Sequence, residues 1–198
     1  MDKKHAYKLI LTSFGLTGGV GRGLIAEELR KDGDLKEKRI FLFHEPYYSI
    51  GPILTEACTQ MGFALENIVL SGRQHSKAEI ENVDYVYVTE GNTFEVLSLI
   101  REQSLVDAMR KAVFSGATYI GASAGAMIAG VSIKEAISFD RNFVRMDDFT
   151  GLRLFDGIVI PHYEKSELKR YIENSPGIEC EYKNIYSVKN DGILVMEM

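Results

Sequence analysis

An apolar run, a serine flanked by glycines and a helix-compatible run follow one another without a break in the middle of the chain: Ala117–Ile120, then Gly121-Ala122-Ser123-Ala124-Gly125, then Ala126-Met127-Ile128-Ala129. A G-x-S-x-G element in that setting requires a sharp strand-to-helix turn. The glycines admit the close approach, and the serine backbone is strained so that its hydroxyl stands clear of the sheet. The chain is thereby directed towards a βα unit, and Ser123 is the candidate nucleophile. The same letters also describe a Gly/Ala/Ser packing turn, so the motif needs a partner. Ile158-Val159-Ile160-Pro161-His162-Tyr163 supplies one, because it is a β-branched strand delivering a histidine at its C-terminal end, where the functional groups of open α/β sheets collect. A base-activated hydroxyl follows if the two strand ends are neighbours.

Strand and helix signals alternate along the rest of the chain. Lys8–Ser13, Arg39–Phe43, Asn67–Leu70, Asp84–Val88 and Thr118–Ala122 read as strands. Between them, a glycine loop Gly15–Gly23 leads to a helix ending near Lys31, and Gly51–Met61, Phe94–Ile100 and Leu105–Phe114 read as further helical segments. Gly157–Ile160 precedes a predicted helix from Glu164 to Asn174, stopped by Ser175-Pro176-Gly177. Tyr186–Val188 and Ile193–Met196 flank the hairpin-type turn Asn190-Asp191-Gly192. The pattern implies an α/β fold with a doubly wound, mostly parallel, flavodoxin-like sheet and an antiparallel tail, in one domain over residues 1–198.

Composition narrows the function classes. With 45% apolar and 26% charged residues the chain is ordinarily globular, and no apolar run approaches the ~20 residues of a membrane span. A cytoplasmic protein with no membrane partner is expected. Cys58 and Cys180 are the only cysteines and lack C-x-x-C spacing, which argues against a disulfide framework and a cysteine zinc site. The net charge of −5, with scattered lysines and arginines, argues against nucleic acid. Gly18-Gly19-Val20-Gly21-Arg22-Gly23 fits neither dinucleotide nor phosphate-loop spacing, since Leu24 stands where the lysine would be. It reads as a β1–α1 loop at the rim of the site. His5 and His75 lie in polar segments, whereas His44 ends a strand and reads as a hydrogen-bonded structural histidine.

Gly121–Ala126 (GASAGA), the upstream Gly91–Phe94 (GNTF) and the downstream Gly151–Tyr163 (GLRLFDGIVIPHY) together resemble the peptidase E family of dipeptidase-type serine hydrolases. The similarity runs from about Lys8 to Gly192 and implies a class I glutamine amidotransferase-like fold. It implies Ser123 as nucleophile and His162 as general base, with the backbone N–H groups of Gly91 and Ala124 as the oxyanion hole and Asn92 beside them. Two fixed donors are what a tetrahedral intermediate needs, and the residue after an elbow nucleophile supplies one of them. The family's acid matches Asp191, with Glu164 and Asp140 as other candidates; Asn-Asp-Gly is equally explained as a turn. The resemblance implies a small peptide substrate, no metal and no organic cofactor.

Three departures stand out. Glu90 replaces one of a run of glycines, Arg153 replaces a second glycine after Gly151-Leu152, and the chain ends shortly after Asp191. A Glu90 carboxylate turned into the cleft would repel an acidic P1 side chain. Two other classes remain open. One is an α/β-hydrolase esterase taking its acid from Asp140, Asp147, Asp148 or Asp156, against which stands the short stretch of 75 residues after Ser123. The other is a non-catalytic amidotransferase-like binding domain.

Overall fold

Period-two burial organises the structure. A computed structural model describes residues 6–45, 50–71, 77–163 and 181–198. Its strands β1 (Lys8–Thr12), β2 (Ile40–Phe43), β3 (Ile68–Leu70), β4 (Tyr85–Val88) and β5 (Thr118–Ala122) run parallel. Leu9, Leu11, Phe41, Phe43, Val86, Val88 and Tyr119 face one core; Ile10, Ile40, Leu42, Tyr85, Tyr87, Ile120 and Ala122 face the other. The first core is closed by α4 (Thr93–Glu102), α5 (Val106–Phe114) and α6 (Ala124–Ile128), the second by α1 (Gly19–Arg30) and α2 (Gly51–Met61). A short α3 (Lys77–Ile80) precedes β4. Burial on both faces is why these strands read as unbroken apolar runs rather than alternating ones. Truncating a fully buried ring such as Phe41 would cost about 3–5 kcal/mol.

The sheet order is β3-β2-β4-β5-β1-β8, with β8 (Ile193–Glu197) antiparallel to β1. β2 to β5 follow the flavodoxin-type succession, and β1 takes the place beyond β5. One consequence decides the site: Thr12 at the end of β1 lies in register with Ala122, the residue before Ser123.

The tail differs from the predicted hairpin. β7 (Ile185–Ser187) pairs in parallel with β6 (Ile158–Ile160) in a separate two-stranded sheet, while β8 crosses to β1. The turn closed by Gly192 N–H on the Lys189 carbonyl therefore carries the chain from one sheet to the other. The glycine loop is also shorter than expected. Gly19, Gly21 and Gly23 lie within α1, and a Cβ on Gly21 would overlap the Phe14 carbonyl, so that glycine serves close packing. The predicted helix from Glu164 to Asn174, with His5, His75 and Cys180, lies outside the described residues. Among the described residues no helix is long and apolar enough to cross a membrane.

Candidate active site

Ser123 sits between β5 and α6 with φ 47° and ψ −105°, a conformation that a non-glycine residue adopts only when its surroundings impose it. The surroundings are explicit. Ser123 N–H donates to the Thr12 carbonyl at 2.9 Å, and Gly125 N–H donates to the Thr89 carbonyl at 3.2 Å, which pins the turn between β1 and β4. A Cβ on Gly125 would overlap the Val88 carbonyl, and one on Gly121 would stand 2.6 Å from the Gly125 carbonyl oxygen. Both glycines of the motif are thus sterically required, and the packing-turn reading does not account for the strained serine between them.

His162 follows β6, also with a positive φ of 55°, and its Nε2 lies 3.0 Å from Ser123 Oγ. Its Nδ1 lies 3.0 Å from Asn190 Oδ1. With the proton on Nδ1 the ring donates to Asn190 and accepts the serine hydroxyl at Nε2, the tautomer a general base requires. Two residues after β1, which the sequence did not mark, hold this histidine. Ser13, 1% exposed, accepts His162 N–H at 2.8 Å and donates to the Val188 carbonyl at 3.0 Å, joining the ends of β6 and β7 beneath the ring. Phe14 packs edge-on against the imidazole at 5.1 Å.

Two of the acid candidates are placed elsewhere. Asp191 is exposed on the turn, and its neighbour Asn190 is the residue brought to the imidazole. Asp140 accepts from Thr93 N–H and Oγ1 at 2.8 and 2.6 Å, at the start of α4. Glu164 lies outside the described residues. Of the carboxylates an esterase could use, Asp148 binds Thr150 and Arg101, and Asp156 pairs with Lys183.

Of the two residues expected to supply backbone donors, Ala124 opens α6, where a first-turn N–H has no partner within the helix. Gly91 has φ 147°, in the region that favours glycine, and a Cβ there would stand 2.8 Å from Glu45 Oε1. The Asn92 side chain is occupied. Its Oδ1 caps α4 by accepting from Phe94 and Glu95 N–H, and its Nδ2 donates to the Arg141 carbonyl. Its contribution is to fix the turn, not to offer a side-chain donor to substrate. Glu90 pairs with no cation among the described residues. Its carboxylate accepts from the Thr17 hydroxyl and, at 3.2 Å, from the Tyr87 hydroxyl, against Gly15. The His44 ring binds the Glu45 carbonyl at 3.0 Å, a structural role. Arg153 has φ 54°, which explains a glycine preference at that position.

A cleft of about 510 Å³ lined by Asp32, Lys38, Asp84, Tyr85 and Thr118 opens at the opposite, N-terminal ends of β4 and β5. It contributes nothing to Ser123. Among the described residues no group of three or more histidine, cysteine or acidic side chains is arranged to hold a metal ion.

The geometry agrees with comparisons to known proteins. The family model for Peptidase family S51 matches residues 53–197. Peptidase E of Actinobacillus pleuropneumoniae serotype 5b is 32% identical over 142 residues, 69% of this chain and 58% of that protein. Peptidase E of Haemophilus influenzae is 35% identical over 98 residues, 50% of this chain and 44% of its own length. This chain thus matches about half the length of these curated relatives. Among solved structures, a Listeria monocytogenes EGD-e protein described as a candidate peptidase E superposes with a TM-score of 0.73 at 22% identity, covering 98% of both chains. That likeness concerns the fold.

Proposed function

The chain belongs to peptidase family S51, and from that premise we propose that it is a serine hydrolase cleaving small peptides of the dipeptide class through an acyl-enzyme on Ser123. The observation that carries the reading is the 3.0 Å approach of Ser123 Oγ, on a strained elbow, to His162 Nε2. Hydrogen-bond reach between nucleophile and base, with the base oriented by a third group, is the arrangement that activates a hydroxyl.

In this reading Ser123 Oγ attacks the scissile carbonyl carbon while His162 Nε2 takes its proton. The carbonyl oxygen becomes an oxyanion held by the Gly91 and Ala124 N–H groups. The tetrahedral intermediate collapses as His162 returns the proton to the leaving amine. Water, deprotonated by the same ring, then releases the acyl group. Asn190 acts as an uncharged orienting group: it holds the tautomer but adds no carboxylate to stabilise the imidazolium. The reading takes residues 1–198 as one hydrolase domain working in the cytoplasm.

Reaction with a fluorophosphonate tests the proposal without knowledge of the substrate. The parent protein should form a covalent adduct on Ser123, and Ser123→Ala and His162→Ala should lower both labelling and the hydrolysis of N-terminally free dipeptides by ~10³-fold or more. A parent protein that binds dipeptides but is never labelled would instead be an amidotransferase-like binding domain.

A further inference from the structure

Glu45 follows β2 at the sheet edge that carries Ser123, is only 2% exposed, and has no part in the mechanism above. Its carboxylate stands against Gly91. Oε1 would be 2.8 Å from a Cβ there, the Asn92 backbone N–H favours the charge on the carboxylate, and Oε1 has no hydrogen-bond partner among the described residues. A buried carboxylate with an idle oxygen is costly, and it persists where something else depends on it. Among the described residues the charged side chains that act on it are acidic: Glu95 from α4 and Asp140 from the segment after the 3-10 turn Lys134–Ser138. On its own segment, His44 turns its ring to the Glu45 carbonyl rather than to the carboxylate.

We propose that Glu45 is a positioning residue of the oxyanion hole: it anchors the Gly91–Asn92 turn from behind, and its charge state sets how well the Gly91 N–H holds a developing oxyanion. The inference rests on the serine-hydrolase reading and deepens it. Protonated, Glu45 still accepts the Asn92 N–H through its carbonyl oxygen and places no negative charge behind the hole. Ionised, it keeps the anchor but opposes the charge that forms on the substrate oxygen, in a site where such effects are amplified by low dielectric. Burial first, then Glu95, pushes its carboxyl up to about 7 against the pull of the Asn92 N–H, with Asp140 adding to the rise, so the switch falls in the neutral range.

The test is the second-order rate of Ser123 phosphonylation by a fluorophosphonate in the parent, Glu45→Gln and Glu45→Leu proteins, followed from about pH 6 to about pH 8.5. The ratio of Glu45→Gln to parent cancels the titration of groups the two proteins share. It should rise about tenfold across that range, because the amide keeps the anchor and cannot ionise. Glu45→Leu, lacking the anchor, should be slower than Glu45→Gln at every pH. A flat Glu45→Gln ratio in a parent protein that is readily labelled overturns the inference while leaving the hydrolase reading intact. Equal rates for the Gln and Leu variants overturn the anchoring role. A parent that is not labelled at any pH overturns the hydrolase reading and this inference with it. Should Glu45→Leu fail to fold, the Glu45→Gln ratio still decides.

Discussion

Asn190 Oδ1 and His162 Nδ1 stand 3.0 Å apart, so the imidazole beside Ser123 is oriented by an amide rather than by a carboxylate. An amide fixes the tautomer as well as a carboxylate does. In the proposed mechanism it forgoes the electrostatic stabilisation of the imidazolium that would form when the serine proton arrives.

That division of labour predicts three different outcomes for three neighbouring substitutions. Asn190→Ala should lower kcat by ~10–100-fold with little change in KM, because the ring loses its orientation but the cleft is untouched. Asn190→Asp should retain activity, with the acid limb of the kcat–pH profile displaced upward by about one pH unit, since a carboxylate at Nδ1 favours the protonated ring. Asp191→Asn should leave the profile unchanged, because the Asp191 side chain is exposed on the turn. A large loss from Asp191→Asn combined with a silent Asn190→Ala would reverse the assignment.

What was legible in the sequence follows from what sets each feature. Strands β1, β2, β4 and β5 announce themselves because both faces are buried, and Ser123 announces itself because two flanking glycines are sterically required. Asn190 was hidden because an asparagine before Asp-Gly is already explained as a turn former, and amides carry no charge signal. The pairing of β7 with β6 was hidden too, since a short turn between two apolar runs reads as a hairpin unless the third dimension assigns the strands to different sheets. Ser13 and Glu45 lie at the ends of β1 and β2, and only the parallel register that brings those ends to Ser123 gives them meaning.

Arg153 occupies left-handed backbone space with φ 54°, and its side chain is exposed. Non-glycine residues pay about 1–2 kcal/mol there, while glycine pays ~0.5–1 kcal/mol more entropy on folding. Arg153→Gly should therefore raise stability by ~0.5–1 kcal/mol, a gain of roughly 1–4 °C in Tm for a chain of this size. Its backbone bond to the Gly130 carbonyl is preserved in the variant. A lowered Tm in thermal unfolding would show that the arginine side chain contributes more than the strain costs.

Glu90 is held by the Thr17 and Tyr87 hydroxyls against Gly15. Its replacement should act on stability and leave substrate choice alone. Glu90→Gly should cost about 1–3 kcal/mol by leaving the buried Tyr87 hydroxyl without its acceptor. The ratio of kcat/KM for an Asp-X dipeptide to that for an Ala-X dipeptide should not move. Measuring that ratio at low and high salt checks the point, because a carboxylate acting on substrate charge would change it most at low salt.

Glu45 gives a stability signature independent of catalysis. Its carboxyl ordinarily titrates at 4.5 and is raised to about 7 in the folded protein by burial first and then by Glu95. For an acid raised on folding, the favourable contribution is fully present below the unfolded value and is lost as pH rises through the folded one. The parent protein should therefore lose stability relative to Glu45→Gln between about pH 4.5 and about pH 7, by on the order of 1–3 kcal/mol. Above that range the difference should be constant. Urea unfolding of both proteins at several pH values measures the difference directly and cancels the titration of groups the two proteins share. A difference that stays flat across the window would mean that Glu45 is already ionised at about pH 4.5, and that its charge is balanced in the folded protein.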